Sequence, residues 1–450
     1  MALQTRKARP GRAVSDQGLS KAQIAANFSD LHPPLDAHEA RVESDRCYFC
    51  HDAPCMTACP TAIDIPLFIR EISTGNPDGA ARTIFMQNIL GGMCARVCPT
   101  ETLCEQACVR MTAEGKPVKI GLLQRYATDH LMEQKRQPFT RAARTGKRMA
   151  VVGAGPAGLA CAHRLALHGH TVDVFEARKK PGGLNEYGIA AYKATDDFAR
   201  REAAYVMGVG GITVHHGKTL GKNLKLEALR RDYDAVFLGV GLQGVNALGI
   251  SGEEGPGIDD AVDYIAELRQ ASDLSKMKVG RRIAVVGGGM TAIDIAVQSK
   301  LLGAEEVMIL YRRAQGKMGA SSFEQELAKS KGVVIHHNVM PVKVKKKAGR
   351  MAALVCEKTA ERNGKVTGTG KRVEFACDTV FKAIGQTYTD PTGGVLRLEK
   401  GRILVDGERR TSLKGVWAGG DCVFGGKDLT VASVDDGRRA ADSIHAAVMG

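Results

Sequence analysis

The sequence has no long apolar run. None of its segments approaches the roughly 18 uncharged apolar residues that a membrane-spanning helix requires, so we expect no membrane partner. Basic residues near the start, Arg6, Lys7, Arg9 and Arg12, are not followed by the apolar segment of a signal peptide. The sequence therefore predicts a cytoplasmic protein, a setting in which disulfide bonds are rare.

The positive charge is spread along the chain. The 450 residues carry a formal net charge of +14, but only Val342–Arg350 forms a basic run. Val342 and Val344 alternate there with charged residues, which predicts a half-exposed strand with a solvated face. A basic surface for an acidic protein partner is the alternative. We expect no nucleic-acid partner.

Cysteine is concentrated in one segment. Eight of the twelve cysteines lie between Cys47 and Cys108, in two groups that each contain a Cys-Pro pair. The first group reads C-x2-C-x4-C-x3-C-P and is two residues longer than the bacterial ferredoxin motif. In that motif the last cysteine ligates a second cluster, so Cys59 should do the same and the second group must supply the missing ligand. The spacing predicts two iron–sulfur clusters, and two zinc sites are the alternative.

A dinucleotide-binding unit follows the cysteines. It consists of a strand from Met149, the loop Gly153-x-Gly155-x-x-Gly158, a helix, and a second strand that ends in Glu176. Glycine permits the tight turn and the close approach of pyrophosphate, and the helix N-terminus offers free N–H groups. Glu176 is placed to accept hydrogen bonds from a ribose hydroxyl.

A second unit has the loop Gly287-Gly-Gly289-Met-Thr291-Ala292, and its second strand ends in Arg312 and Arg313. Without the acid, a 2′-phosphate is not repelled, and a charge-assisted contact to Arg312 would contribute about 1.5–3 kcal/mol. The pattern favours NADPH over NADH, unless the arginines are solvated strand-end charges. The predicted NAD(P) site comprises Gly287, Gly289, Thr291, Ala292, Arg312 and Arg313.

The end of the chain decides which unit binds FAD. A strand from Gly415 ends in Asp421 and is followed by a helix from Val431. A terminal Asp suits the ribityl chain of FAD, and a helix N-terminus suits the electron-rich edge of the flavin. The first unit is therefore predicted to bind FAD, and the nicotinamide domain to be inserted in the flavin domain. The predicted FAD site comprises Gly153, Gly155, Gly158, Glu176, Gly183, Leu184, Asp421 and Val431.

These units predict an α/β protein with a helical N-terminal iron–sulfur domain followed by two Rossmann-like dinucleotide-binding domains. The predicted boundaries are 1–36 for an N-terminal arm, 37–140 for the iron–sulfur domain, 149–275 and 384–450 for the FAD domain, and 276–383 for the NAD(P) domain. Neither glycine loop has a paired cysteine motif beside it, which disfavours a disulfide reductase. No catalytic side chain is predicted, because the flavin itself takes the hydride.

The motifs resemble those of flavoproteins with two dinucleotide sites and an N-terminal iron–sulfur domain. The resemblance is carried by Cys47-Tyr-Phe-Cys-His-Asp-Ala-Pro-Cys-Met-Thr-Ala-Cys-Pro60, Gly91-Gly-Met-Cys-Ala-Arg-Val-Cys-Pro99 and Ile120-Gly-Leu-Leu-Gln-Arg-Tyr126. They are most similar to dihydropyrimidine dehydrogenases, in particular to the flavin and nicotinamide subunit of the bacterial two-subunit enzymes. Glutamate synthase small subunits belong to the same group.

The resemblance implies the cluster ligands. One 4Fe-4S cluster would be held by Cys47, Cys50, Cys55 and Cys108, and the other by Cys59, Cys98, Cys104 and the side-chain amide of Gln124. Cys94 is then spare, although it would replace Gln124 if that residue were an ordinary helix residue.

The resemblance also implies a function. The chain would be an electron-input subunit that passes electrons between NAD(P)H and an FMN-containing, pyrimidine-binding partner in a hetero-oligomer, through FAD and two 4Fe-4S clusters. The partner would reduce uracil or thymine to the 5,6-dihydro forms, reversibly. The alternatives are a glutamate synthase small subunit that feeds an amidotransferase, and a stand-alone NAD(P)H:acceptor or ferredoxin reductase. Met290 departs from the family pattern, and the nicotinamide type stays open.

Overall fold

The computed structural model describes residues 18–450, and predictions for residues 1–17 lie outside this part. The described part of the predicted arm contains helix α1 (Lys21–Asn27), which begins with a capping box between Ser20 and Gln23. Ile24 and Phe28 are buried in the core of the nicotinamide domain. This segment is therefore packed against the rest of the chain.

The iron–sulfur domain is helical. Pro54, Pro66 and Pro77 lie in the first turns of three of its helices, where a missing N–H has no cost. Its last helix carries the buried residues Leu123 and Ala127 at helical spacing. The helices are α2 (Ala37–Ser44), α3 (Pro54–Ala58), α4 (Ile65–Ser73), α5 (Pro77–Gln87), α6 (Gly91–Val97), α7 (Val109–Glu114) and α8 (Ile120–Glu133).

The flavin domain starts with a parallel sheet whose strands alternate with helices and carry buried, β-branched side chains. Its first elements are β1 (Arg148–Val152), α9 (Pro156–Leu167), β2 (Thr171–Glu176), α10 (Leu184–Tyr187), α11 (Phe198–Met207), β3 (Ile212–His216), α12 (Leu226–Asp232) and β4 (Ala235–Leu238). Strand β1 pairs with β2 on one side and with β4 on the other. Continuous burial of β1 and β4 fits strands that are covered on both faces.

The nicotinamide domain is inserted after β4. It contains β5 (Gly244–Val245), β6 (Ile258–Asp260), α13 (Ala261–Gln270), β7 (Arg282–Gly287), α14 (Met290–Leu301), β8 (Glu306–Tyr311), α15 (Ser322–Ser330), β9 (Val333–His337), β10 (Val339–Lys347), β11 (Arg350–Arg362), β12 (Lys365–Ala376), β13 (Thr379–Ala383) and β14 (Gln386–Thr387). Its parallel sheet has the order β6-β13-β7-β8-β9, and β10, β11 and β12 form an antiparallel sheet. In β10, Val344 is buried while Lys345, Lys346 and Lys347 are exposed, as a half-exposed strand requires.

The chain then returns to the flavin domain through β15 (Leu398–Glu399), β16 (Arg402–Ile403), β17 (Val416–Ala418) and α16 (Thr430–Met449). Strand β17 pairs with β4, which completes the first sheet. The two crossings between the domains lie side by side, because β5 pairs with β14. The α/β architecture with a helical N-terminal domain is as predicted.

One predicted boundary differs from the strand pairing. Residues 258–270 fall in the predicted FAD segment 149–275, but β6 pairs with β13 of the nicotinamide sheet. The first crossing therefore lies near β5. Strand β6 reads Ile-Asp-Asp and has no apolar alternation, so its place in a sheet depends on a partner about 120 residues later.

Candidate cofactor sites

A first cavity of the iron–sulfur domain is lined in part by the exposed residues Tyr48 and Val109. The side chains that the family resemblance implies for the first cluster all line it, namely Cys47, Cys50, Cys55 and Cys108. Cys55 is in the first turn of α3, and Cys108 immediately precedes α7. Apolar walls are provided by Ile65, Ile69, Val118 and Ile120. The two cysteine groups are therefore folded against each other.

A second cavity is lined by the second predicted set, Cys59, Cys98, Cys104 and Gln124. Cys94 lines it as well. The amide nitrogen of Gln124 donates a hydrogen bond of 2.7 Å to the carbonyl of Gly91. This bond orients the buried carboxamide and leaves its oxygen as the atom available to bind a cluster.

Two residues connect the cavities with each other and with the flavin domain. Ile65, at the start of α4, lines both cavities. Val431, in the first turn of α16, lines the second cavity and is 1% exposed. The second cavity therefore lies between the first cavity and the N-terminal end of α16. Nothing in the sequence distinguishes Ile65 from an ordinary apolar helix residue.

The thiols need a positively charged group to become ligands. Burial, together with the neighbouring Cys108 and Cys47, raises the pKa of Cys55 to about 12. Burial also raises the pKa of Cys104 well above its usual range. Thiolates in such an environment are stable only beside metal charge, so the donor set fits iron–sulfur clusters.

The predicted cluster ligands lie around the two cavities. Among residues 18–450, no three side chains of His, Cys, Asp or Glu converge on the point that one metal ion would occupy. The four predicted ligands of each cluster instead line one cavity each.

The first glycine loop is built as a dinucleotide turn. Gly153 has φ +100°, and a Cβ there would lie 2.3 Å from the carbonyl oxygen of Gly239. A Cβ at Gly158 would lie 1.8 Å from the carbonyl oxygen of Gly153, so α9 packs directly on the turn. The Glu176 carboxylate accepts hydrogen bonds of 2.7 Å from the N–H groups of Ala154 and Arg178. It thus holds the loop in place through both of its carboxylate oxygens.

Of the remaining predicted flavin residues, Gly183 contacts the same loop, and Asp421 lies beside Gly241. A Cβ at Gly183 would lie 2.7 Å from the Cα of Gly155, so the two loops are in contact. Leu184 begins α10, and Asp421 follows β17. Burial, reinforced by Asp428, raises the pKa of the Asp421 carboxyl to about 6. The structure therefore brings residues from both ends of the interrupted domain to one place.

The second glycine loop has the same form. Gly287 ends β7 with φ +149°, and Gly289 is the N-cap of α14 with no atom within 4 Å of a Cβ built on it. A Cβ at Gly288 would meet the Tyr311 ring at 2.4 Å. Thr291 is half-buried in the first turn of α14, and Ala292 is fully buried behind it. This loop leaves open space where a pyrophosphate would approach.

The two arginines after β8 have different surroundings. Arg312 is exposed, whereas Arg313 is half-buried and its Nε atom has no hydrogen-bond partner among the described residues. Neither of them forms an ion pair within the described part of the chain. Both guanidinium groups are therefore available to an anionic ligand beside the second loop.

Comparison with known proteins identifies the two parts. Residues 24–136 match the family described as dihydropyrimidine dehydrogenase domain II, 4Fe-4S cluster. Residues 147–449 match the family described as pyridine nucleotide-disulphide oxidoreductase. The chain belongs to this oxidoreductase family. It is an NAD(P)-dependent flavin and iron–sulfur oxidoreductase whose cofactors are FAD, 4Fe-4S clusters and NAD(P)H.

Two relatives cover nearly the whole chain. The NAD-dependent dihydropyrimidine dehydrogenase subunit PreT of Escherichia coli O157:H7 is 33% identical, with 93% of this chain and 96% of that protein covered. The glutamate synthase (NADPH) small chain of Escherichia coli (strain K12) is 31% identical, with 93% of each covered. The predicted resemblance to dihydropyrimidine dehydrogenases is therefore confirmed.

The fold of the dinucleotide domains is shared with a solved structure. Mycobacterium tuberculosis FprA in complex with NADPH matches with a TM-score of 0.57 at 19% identity, covering 66% of this chain and 83% of that chain. At this identity the match shows the fold alone. Separately, no helix among the described residues is both long and apolar enough to cross a membrane.

Proposed function

We propose that this chain is the electron-input subunit of a dihydropyrimidine dehydrogenase. In this proposal it passes electrons between NAD(P)H and an FMN-containing subunit that converts uracil or thymine to the 5,6-dihydro forms, reversibly. The naming of the relative PreT as a dihydropyrimidine dehydrogenase subunit supports it, and so does the match of residues 24–136 to a domain of that enzyme.

The observation that carries the proposal is the order of the cavities. Val431 lies in the first turn of α16, the helix whose N-terminal end is assigned to the flavin, and the same residue lines the second cavity. Ile65 then separates the second cavity from the first. When bound, FAD would supply two-electron hydride chemistry with NAD(P)H, and the clusters would supply one-electron chemistry. In this proposal, electrons would pass from the flavin site to the second cavity and from there to the first.

The residue roles follow from this arrangement. FAD would be held by Gly153, Gly155, Gly158, Glu176, Gly183, Leu184, Asp421 and Val431. NAD(P)H would be held by Gly287, Gly289, Thr291, Ala292, Arg312 and Arg313. The first cavity would take a cluster on Cys47, Cys50, Cys55 and Cys108, and the second a cluster on Cys59, Cys98, Cys104 and Gln124. Tyr48, which is 54% exposed, and Arg110 stacked on it at 4.1 Å lie beside the first cavity, where electrons would leave.

A glutamate synthase small subunit is the second candidate, because that relative is 31% identical over the same length. Gln124 favours the dehydrogenase, because the resemblance to that family assigns its side-chain amide to the second cluster. The position of Gln124 in the second cavity agrees with a ligand role.

The test is anaerobic oxidation of NADH or NADPH by the FAD- and iron-loaded chain. Uracil or thymine is supplied with and without an FMN-containing candidate partner from the same source. Pyrimidine-dependent turnover that needs both polypeptides is the expected result. Turnover with glutamine and 2-oxoglutarate in the presence of an amidotransferase subunit, and none with pyrimidines, would replace the proposal by the second candidate.

A further inference from the structure

A buried lysine joins the two dinucleotide domains. Lys193 lies in the flavin domain between α10 and α11, and its ammonium is 2.7 Å from Asp294 and 2.6 Å from Glu324. Asp294 belongs to α14 and Glu324 to α15, both in the nicotinamide domain. These three residues are 8%, 5% and 7% exposed. Buried charges are tolerated when they are paired, and this pairing exists only while the two domains are in contact.

Neighbouring backbone groups reinforce the contact. The N–H of Ala191 donates to the Gln298 side-chain oxygen on α14 at 2.9 Å, and the N–H of Ala190 lies 3.4 Å from Asp294. On the other side, the carbonyl of Tyr192 accepts from the N–H of Leu31 at 2.9 Å. The segment that carries Lys193 is therefore fixed between α14 and the N-terminal arm.

Helix α15 is also tied to the iron–sulfur domain. Its N-cap residue Ser321 donates a hydrogen bond of 2.5 Å to the carboxylate of Glu101. Glu101 lies between Cys98 and Cys104, two of the residues that line the second cavity. The same helix thus contacts Lys193 through Glu324 and the cluster region through its first turn.

The chain connections alone would not fix the orientation of the nicotinamide domain. The chain leaves and re-enters the flavin domain at two crossings. These crossings meet in the short ribbon of β5 and β14, which has two paired residues on each strand. Domains joined in this way move relative to each other unless side chains hold them. A buried cation shared by two carboxylates is a directional contact that can select one orientation.

The contact is close to both nucleotide sites. Thr291 precedes Asp294 on α14 by three residues, which is about 4.5 Å along the helix axis. Lys193 follows α10, whose first residue is Leu184 of the predicted flavin site. We infer that Lys193, with Asp294 and Glu324, is an interdomain latch that positions the nicotinamide domain for hydride transfer to the flavin. This inference rests on the flavin-reduction step of the proposed function and on no pyrimidine or partner.

The test compares Lys193→Met with the wild type and with Lys329→Met, which removes an exposed lysine of α15 that pairs with Glu326 on its own helix. Each protein is loaded with FAD and iron, and the limiting rate of flavin reduction at saturating NADPH or NADH is measured by rapid mixing. Hydrogen exchange of the peptide containing Ala190 and Ala191 reports the domain contact directly. Reduction by dithionite measures the reactivity of the flavin independently of the nicotinamide domain.

For Lys193→Met we expect a limiting rate lower by about tenfold or more, faster exchange of the Ala190–Ala191 amides, and unchanged reduction by dithionite. Lys329→Met should match the wild type. A wild-type rate and wild-type exchange in Lys193→Met would overturn the latch. If Lys193→Met does not retain its cofactors, the triple variant Lys193→Met, Asp294→Asn, Glu324→Gln leaves no unpaired charge, and the same results are expected of it. If neither nucleotide reduces the wild type, the proposed function fails before the latch is tested.

Discussion

The amide nitrogen of Gln124 and the carbonyl oxygen of Gly91 are 2.7 Å apart in the wall of the second cavity. This hydrogen bond turns an otherwise flexible side chain into a fixed one, with its oxygen atom left for a ligand. A buried glutamine held in this way between cysteines is the arrangement that a mixed cluster ligand set would need.

The first prediction separates Gln124 from Cys94. Gln124→Ala should lower the iron content from about eight to about four per chain, or change the electron paramagnetic resonance signal of one cluster, because a ligand is lost. Cys94→Ser should keep the wild-type iron content and signals. The opposite pair of results would make Cys94 the ligand and Gln124 an ordinary helix residue.

The second prediction concerns the nicotinamide type. Arg312 is exposed beside the second glycine loop, so Arg312→Gln should raise the KM for NADPH by about 10- to 100-fold through loss of a charge-assisted contact. The KM for NADH should not change. Arg362→Gln, an exposed arginine at the end of β11, is the matched control. If Arg312→Gln leaves the NADPH KM unchanged, the arginine is a solvated charge and the preference for NADPH has no support.

The third prediction contrasts two loop glycines. A Cβ at Gly158 would lie 1.8 Å from the Gly153 carbonyl oxygen, whereas a Cβ at Gly289 would meet nothing within 4 Å. Gly158→Ala should therefore prevent FAD loading or destabilise the flavin domain. Gly289→Ala should load FAD and iron normally but bind NAD(P)H more weakly, since the methyl group occupies the space for pyrophosphate. Equal FAD loading in both variants would contradict the assignment of the first loop.

The fourth prediction is a pH dependence of stability. His163 on α9 is 3% exposed, its Nε2 atom has no hydrogen-bond partner among the described residues, and burial lowers its pKa to about 3. The unfolded chain binds this proton below about pH 6.5, while the folded chain remains neutral there. Stability should therefore fall as the pH falls from about 6.5 towards 3, by about 2 kcal/mol at pH 5 from this residue alone.

Denaturant unfolding of the wild type and His163→Leu near neutral pH and near pH 5 measures this effect. The variant should lose less stability on acidification than the wild type, and His38→Leu, at an exposed position, should behave like the wild type. An equal loss in wild type and His163→Leu would show that this histidine is not held neutral by burial.

Much of the fold could be predicted because its signals are local. Each glycine loop stands between a strand and a helix within about 30 residues, and the cysteine groups have a recognisable spacing. The insertion of one dinucleotide domain in the other also follows from the chain order, and the paired strands β5 and β14 lie where the chain crosses between the domains.

The remaining features depend on contacts between distant residues. Lys193 reaches Glu324 across 131 positions, and no pattern near Lys193 distinguishes it from a surface lysine. Glu202 of α11 accepts a hydrogen bond of 2.9 Å from the N–H of Met93 and so caps the helix that carries Cys94. Burial raises the pKa of Glu202 to about 8, a property that arises only after the flavin and iron–sulfur domains pack together. Val431 was predicted beside the flavin, but its place in the second cavity requires the assembled fold.

The most direct test of the account is anaerobic rapid mixing of the FAD- and iron-loaded chain, without any partner, with a small excess of NADH or NADPH. Flavin absorbance and the electron paramagnetic resonance signals of the clusters are followed together. The account predicts loss of the oxidised flavin absorbance, followed by the appearance of reduced-cluster signals, and loss of those signals in Cys59→Ser. Flavin reduction that leaves both clusters oxidised in the wild type would contradict the proposal that electrons leave through the two cavities.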